Sequence, residues 1–196
     1  RPEEIDEAEA LGALKPLLED PSVLKVGQNF KYDLAVFQRY GVAVFPSDDT
    51  MLISYVQAAG LHGHGMDELA ERHLDHRPIP FKDVCGTGKK QKSFAEVDLK
   101  SATAYAAEDA DITLRLWELM KPGLAGAGLS TVYETLERGM PGVLARMELA
   151  GVKVDVAQLS RLSSDFAQKM AEAEQAAHEA AGRQFNLGSP KQIGEI

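Results

Sequence analysis

Apolar and polar positions change period several times along the first 60 residues, and each change marks a new element. Residues 5–18 have a helical pattern that ends at Pro21, and residues 23–27 form a compact apolar run suited to a buried parallel strand. A helix is predicted over residues 29–40, a second strand over 42–45, and a third helix after an aspartate or serine cap at 47–49. This alternation of strands and helices predicts an α/β layer.

The later elements are predicted to be almost all helical. Residues 66–74 form a helix, and a long loop follows that contains Pro78, Pro80, Gly86 and Gly88. A strong helix is expected over residues 101–120, ending before Pro122, with Gly123, Gly126 and Gly128 as an interdomain linker. Beyond it, residues 131–150 and 156–181 are expected to be two helices, the second with an apolar stripe that needs a partner.

Two aspartates fall on the apolar sides of their predicted helices. At 100° per residue, Phe30, Val36, Phe37 and Tyr40 lie within roughly 60° of Asp33. In the 101–120 helix, Asp109 is similarly placed among apolar neighbours and Tyr105, whereas the nearby acids project away from this face. The members of the Asp109 face are Tyr105, Ile112, Thr113, Leu116 and Met120, and the acids on the far side are Asp111 and Glu118.

A buried carboxylate must be protonated, paired or bound to a cation, because burying an isolated charge is very unfavourable. A single inward aspartate is more often neutralised by an arginine or a helix-end hydrogen bond. Asp33 and Asp109 together, with few basic residues near them in sequence, favour a hard divalent cation held by oxygen ligands. Asp49, by contrast, is expected to be a helix cap, and the histidines show no convincing ligand spacing.

Composition narrows the class of protein. The formal net charge of −9 is unusual for a chain that contacts phosphate, although many acids fall in the first twenty residues, where they suggest a solvated helix face. These acids are Glu3, Glu4, Asp6, Glu7, Glu9, Glu19 and Asp20, and the basic cluster of the 78–92 loop comprises Lys82, Lys89, Lys90 and Lys92. A single cysteine, Cys85, excludes an internal disulfide, and the chain shows no apolar run of membrane-spanning length and no signal peptide. These features predict a cytoplasmic chain with no membrane partner.

Several segments resemble the family A DNA polymerases, the group that includes bacterial DNA polymerase I. Residues 28–33 (QNFKYD) are similar to the second exonuclease motif of that family. Residues 105–109 (YAAED) are similar to the third motif, the Tyr-x-x-x-Asp form of the DEDD exonuclease superfamily. The matching segments between and around them are 14–20, 49–52 and 66–72, and those resembling the start of the polymerase domain are 147–155 and 185–192.

The resemblance implies a 3'-5' exonuclease that removes terminal nucleotides from single-stranded DNA with two Mg²⁺ ions, for which Mn²⁺ or Zn²⁺ could substitute. It implies that Asp33 and Asp109 are metal ligands and that Tyr105 orients the attacking water. Asn29 and Phe81 match positions that line the single-strand channel. Lys89 and Lys90 are candidates for phosphate contact, although lysines in a loop are more often simply solvated.

The implied fold is α/β: a ribonuclease H-like exonuclease lacking its first strands over residues 1–124, followed over 129–196 by the long helices that begin a polymerase thumb. The first family motif, Asp-x-Glu, is not found at 1–20, so we expect an internal segment that by itself binds metal weakly and hydrolyses little DNA. The expected partners are a DNA 3' end and the rest of a monomeric, nucleoid-associated polymerase. A scaffold without catalysis and an RNA-trimming exonuclease are the alternatives.

Overall fold

Two short parallel strands and a series of helices make up the chain in the computed structural model, which describes residues 5–196. Glu3 and Glu4 of the predicted acidic helix face therefore lie outside the described residues. The strands are β1 (Lys25–Gly27) and β2 (Ser47–Asp49). The helices are α1 (Glu7–Glu19), α2 (Lys31–Arg39), α3 (Thr50–Ala58), α4 (Met66–Leu74), α5 (Phe81–Cys85), α6 (Leu99–Gly126), α7 (Ser130–Val132), α8 (Met140–Ala150), α9 (Val156–Ala181) and α10 (Pro190–Gly194), with 3₁₀ turns at Gly88–Lys90 and Phe94–Glu96.

The second strand lies later in the chain than predicted. Lys25 pairs with Ser47 and Gly27 with Asp49 in a parallel register, whereas the apolar residues 42–45 form no strand. The prediction of a strand at 42–45 is therefore wrong. The polar segment forms the strand because its two aspartates find hydrogen-bond partners distant in sequence, so apolar character alone did not predict which residues pair.

The main hydrophobic core of the first compact unit, which extends to Gly151, joins α3, α4 and α6. Its buried members are Ile53, Leu69, Ala70, Ile112, Leu116, Met120, Leu124 and Tyr133. A smaller cluster packs Phe30 and Leu34, at the start of α2 and within it, against Ala145 of α8. The two clusters hold α2 and α6, the helices that carry the predicted acids.

The predicted glycine linker is mostly helical. Helix α6 continues through Pro122, Gly123 and Gly126, and Leu124 within this stretch is buried in the main core. Burial of Leu124 offsets the hydrogen bond that Pro122 cannot donate and the weak helix propensity of glycine. The domain boundary expected between residues 124 and 129 stays a prediction. The first of the two compact units in the structure ends at Gly151.

The single helix predicted for residues 131–150 is interrupted. A π-helical turn covers Tyr133–Glu137, and α8 then begins at Met140 with Pro141 in its first turn. Tyr133 is fully buried and reaches Asp48 of β2 through its hydroxyl group. The prediction of one uninterrupted helix is therefore wrong, because a tertiary contact selected a wider local turn.

The second compact unit, Val152–Ile196, contains α9 and α10. Helix α9 has the predicted bounds, begins at the side chain of Asp155 and ends at Gly182, whose φ of +64° is the left-handed conformation that glycine favours. The members of its predicted apolar stripe are exposed, and they are Leu159, Leu162, Phe166, Met170 and Ala173. None of the described helices has the length and apolarity that a membrane span requires.

Candidate functional site

Helix α6 presents Tyr105 and Asp109 on the side that faces the core. Its N-terminus is capped by Asp98, whose carboxylate accepts a hydrogen bond from the backbone of Ser101 at 2.9 Å. The predicted apolar members of this face are buried from Ile112 onwards, and both Asp111 and Glu118 are exposed, which confirms the predicted orientation. Asp109 and Tyr105 lie nearer the start of the helix and are half-buried.

Helix α2 buries a different residue from the one predicted. Leu34 is its buried side chain, and Val36 and Tyr40, which were expected to flank Asp33 in the core, are exposed. The predicted apolar stripe is therefore wrong for the second half of the helix. Asp33 is half-buried beside Leu34, so its carboxylate lies at the margin of the core rather than at the centre.

Asp49 fixes the position of α2 relative to α3. Its Oδ2 accepts a hydrogen bond from the backbone of Phe30 at 2.8 Å, and its Oδ1 accepts from Asn29 at 3.0 Å and from Met51 at 2.9 Å. This buried carboxylate thus caps α3, which confirms the predicted capping role, and it also holds the turn that leads into α2. Asn29 takes a φ of +53° to allow this turn.

Asp33 and Asp109 line the same cleft, which has a volume of about 390 Å³. The cleft also includes Gly27 and Gln28 after β1 and Met66 of α4, and none of its described lining residues is basic. Oδ1 of Asp109 is buried and accepts no hydrogen bond from any described residue. An unpaired buried carboxylate oxygen suits a cation, because ligation supplies the interaction that solvent no longer provides.

Burial raises the pKa values of both acids. Desolvation raises the pKa of Asp33, and the nearby charge of Asp49 adds to this effect. Desolvation likewise raises the pKa of Asp109, with further contributions from Asp67 and Glu108, against a hydrogen bond from Tyr105 that lowers it. Burial and the charge of Asp109 raise the pKa of Tyr105 to about 12, so this hydroxyl stays protonated at neutral pH.

Of the predicted nucleic-acid contacts, only Phe81 has a ring contact with a predicted site residue of the described chain. The ring of Phe81 is 6.1 Å from that of Tyr105, between centroids. Glu108 holds the segment before Phe81, since its Oε2 accepts from the backbone of Ile79 at 2.7 Å and its Oε1 is 2.9 Å from Nε2 of His76. Asn29, Lys89 and Lys90 are exposed, and none of the three is among the residues that line the cleft.

Three acidic, histidine or cysteine side chains that could hold one metal ion do not come together anywhere among residues 5–196. The cleft offers two carboxylates, with the tyrosine hydroxyl of Tyr105 beside Asp109. The residues present therefore fit part of a divalent metal site.

The 3'-5' exonuclease family matches this chain over residues 2–125, well over half of its length. The chain belongs to the 3'-5' exonuclease family. Both Asp33 and Asp109, with the cleft between them, fall inside the matched region. The predicted resemblance is thereby confirmed.

Several curated relatives of this chain are named DNA polymerase I. The chain is 57% identical to DNA polymerase I of Rhizobium leguminosarum over 188 residues, which cover 96% of this chain and 18% of that protein. It is 44% identical to DNA polymerase I of Pseudomonas aeruginosa over 199 residues, covering all of this chain and 22% of the relative. The chain thus spans about a fifth of the length of the relatives it matches.

Solved structures agree with the fold. The POL domain of Pol1 from M. smegmatis, in complex with DNA primer-template and dNTP, superposes with a TM-score of 0.73 at 27% identity over 96% of this chain and 30% of that one. Brucella melitensis NrnC covers 73% of this chain and 67% of its own, with a TM-score of 0.58 at 22% identity, and shows the fold alone. The predicted α/β, ribonuclease H-like exonuclease fold with few strands, followed by long helices, is confirmed.

Sequence reasoning missed Asp48, a buried acid of β2. Asp48 is 2% exposed and is surrounded by donors from α6 and the π-helical turn. Its sequence neighbours suggested only a helix cap. The sequence does contain the donors that bind this acid, and they are Trp117, Lys121, Tyr133 and Arg138. They are spread along the chain, so only the tertiary structure shows that they converge on Asp48.

Proposed function

We propose that this chain takes part in removing 3'-terminal nucleotides from single-stranded DNA, as the proofreading nuclease segment of a DNA polymerase I. The observation that carries the proposal is that Asp33 and Asp109 line the same cleft, where Oδ1 of Asp109 is buried and has no hydrogen-bond partner. Family membership and the names of the curated relatives support the same activity. DNA synthesis and repair are proposed only for a longer parent polymerase.

Asp33 and Asp109 would hold divalent ions, with Mg²⁺ the expected metal and Mn²⁺ or Zn²⁺ as substitutes. When bound, two such ions activate a water molecule and stabilise the leaving 3'-oxygen. Tyr105 remains protonated at neutral pH, so its hydroxyl can donate to or accept from the attacking water. Because the two aspartates are half-buried, desolvation raises their pKa values, and a bound cation would offset this effect by favouring the charged carboxylates.

Two carboxylates are fewer than two divalent ions need, and the described residues supply no third acid to the cleft. We therefore propose that further ligands, an Asp-x-Glu pair by family resemblance, come from the rest of a longer polymerase. The 196-residue chain would then bind metal weakly and hydrolyse little DNA. Its residues 129–196 are proposed to begin the polymerase thumb of that monomeric, cytoplasmic and nucleoid-associated protein.

Manganese titration followed by calorimetry tests the metal site. The wild-type chain should bind Mn²⁺ weakly, Asp109→Ala should abolish the heat, and Asp111→Ala, a solvent-facing control on the same helix, should leave it unchanged. Joining the chain to a family A segment that carries the Asp-x-Glu motif should strengthen binding and release labelled 3' nucleotides. Equal Mn²⁺ binding by wild type and Asp109→Ala would contradict the proposal.

A scaffold role without catalysis is the second candidate, because no third acid reaches the cleft within the described chain. It predicts that the extended protein hydrolyses neither DNA nor RNA. An RNA-trimming exonuclease is the other alternative, and it predicts faster release from single-stranded RNA than from DNA of the same sequence.

A further inference from the structure

Three aromatic rings meet beside Asp109. Phe94, in the 3₁₀ turn before α6, has its centroid 5.9 Å from that of Tyr105 and 6.5 Å from that of Phe81. The two phenylalanine rings are nearly parallel, at 18°. They are 44% and 38% exposed for Phe81 and Phe94, so this aromatic platform, Phe81, Phe94 and Tyr105, keeps much of its surface accessible.

The backbone holds Phe94 in place from both sides. Ser93 and Glu96 form a reciprocal capping box around the turn, in which the backbone of Ser93 donates to Oε2 of Glu96 at 2.7 Å. Val97, directly after the turn, is buried and anchors the chain before α6 begins. A ring that remains exposed on such a fixed support contributes little to the core, and it is already ordered for binding a flat partner.

The segment joining Phe81 to Phe94 carries positive charge in an otherwise acidic chain. Lys89, Lys90 and Lys92 are exposed there, whereas the chain as a whole has a formal charge of −9. The loop folds back on α5, since the backbone of Lys92 donates to the carbonyl of Cys85 at 2.8 Å. Exposed aromatic rings next to lysines are the combination that binds single-stranded nucleic acid through stacking and phosphate attraction.

We propose that Phe94 is a base-stacking residue, which together with Phe81 forms the surface on which bases of a single-stranded 3' end stack. This inference rests on the proposed function and adds a substrate-binding residue to it. Tyr105 contacts both rings and lies one helical turn before Asp109, so a base stacked on the platform places its phosphate near the acids. Stacking does not read base identity, which suits a nuclease that must accept any 3' end.

Aromatic and aliphatic replacements separate stacking from simple packing. Phe94→Leu keeps an apolar side chain of similar volume but removes the aromatic face, whereas Phe94→Tyr retains it. Leu99→Ala is the matched control, because Leu99 is also 38% exposed and lies five residues further along. Urea unfolding of each variant should show that all of them fold.

The assay measures binding of a single-stranded oligonucleotide with 2-aminopurine at its 3' terminus, in EDTA so that nothing is hydrolysed. Wild type and Phe94→Tyr should quench the 2-aminopurine fluorescence with dissociation constants within about twofold of each other, as expected when the stacking face is kept. Phe94→Leu should weaken binding roughly tenfold and reduce the quenching, in the range for loss of one stacked base. Leu99→Ala should match wild type.

The possible results distinguish the two proposals. If Phe94→Leu binds and quenches as wild type does, the inference about Phe94 is overturned while the proposed nuclease function stands. If Phe94→Tyr fails as badly as Phe94→Leu, stacking is again the wrong explanation. If the wild-type chain shows no binding at all, the inference and the DNA-binding part of the proposed function both fail, and the manganese titration then decides the metal site separately.

Discussion

The indole nitrogen of Trp117 donates a hydrogen bond to Oδ2 of Asp48 at 2.8 Å. The same carboxylate accepts from the hydroxyl of Tyr133 at 3.0 Å and pairs with Nζ of Lys121 at 3.1 Å and Nε of Arg138 at 3.0 Å. Asp48 and Asp109 therefore differ in how their carboxylate oxygens are satisfied. Asp48 is fully paired and structural, whereas Asp109 keeps a buried oxygen without a partner, as a ligand group would.

Asp48→Asn should destabilise the first compact unit by about 2–3 kcal/mol. The change removes the buried anion of Lys121 and Arg138, and the loss stays below the largest values for buried pairs because both cations are partly exposed and keep Glu134 as a partner. Urea unfolding followed by Trp117 fluorescence measures the difference. Asp111→Asn, on the exposed side of α6, is the control and should change stability by less than about 0.5 kcal/mol.

Asp49→Ala should cost about 2–4 kcal/mol of unfolding free energy, more than the roughly 1 kcal/mol of an ordinary cap, because one carboxylate serves α2 and α3. Asp49→Asn keeps one acceptor oxygen and should fall between. Asp6→Ala removes the exposed cap of α1 alone and should cost no more than about 1 kcal/mol. Equal losses for Asp49→Ala and Asp6→Ala would mean that the hydrogen bonds from Asn29 and Phe30 to Asp49 add nothing.

Asp109→Asn should stabilise the metal-free chain at neutral pH. The folded-state pKa of Asp109 is raised, chiefly by desolvation, so the folded state binds its proton more tightly than the unfolded state does. Wild type therefore keeps full stability below the unfolded pKa of about 3.9 and loses it as pH rises through the higher folded pKa. Thermal melts from pH 4 to pH 8 in EDTA should show the variant's advantage growing with pH, and Glu118→Gln, an exposed control, showing no such trend.

Gly27→Ala should destabilise the chain by about 1–3 kcal/mol. A β-carbon on Gly27 would lie 2.3 Å from Cδ2 of Phe30, which is buried against Leu34 and cannot easily move away. Gly12→Ala is the matched control, because its added methyl group meets nothing within 4 Å and alanine favours helix α1 by up to about 1 kcal/mol. Opposite signs in urea unfolding are expected, and a destabilised Gly12→Ala would show that general strain, not Phe30, dominates.

The sequence by itself determined the features that depend on local periodicity. Helices α4 and α9 have the predicted bounds, and the face of α6 that carries Asp109 follows from a 100° repeat along a long, regular helix. The two segments that resemble exonuclease motifs, residues 28–33 and 105–109, could also be found in the sequence, because each is a short local pattern of residues. These features require no knowledge of what packs against them.

Only the tertiary structure decided where the second strand lies, which residue α2 buries and where the helix after Tyr133 changes its turn. Each of these depends on a partner far away in sequence: Asp48 on Trp117, Leu34 on Ala145, and Tyr133 on Asp48. The physical reason is that a polar strand or a widened helical turn is unfavourable alone and becomes stable only when distant groups satisfy its hydrogen bonds. That Asp33 and Asp109 line the same cleft was also decided by the tertiary structure. Periodicity orients each acid on its own helix but cannot bring two helices together.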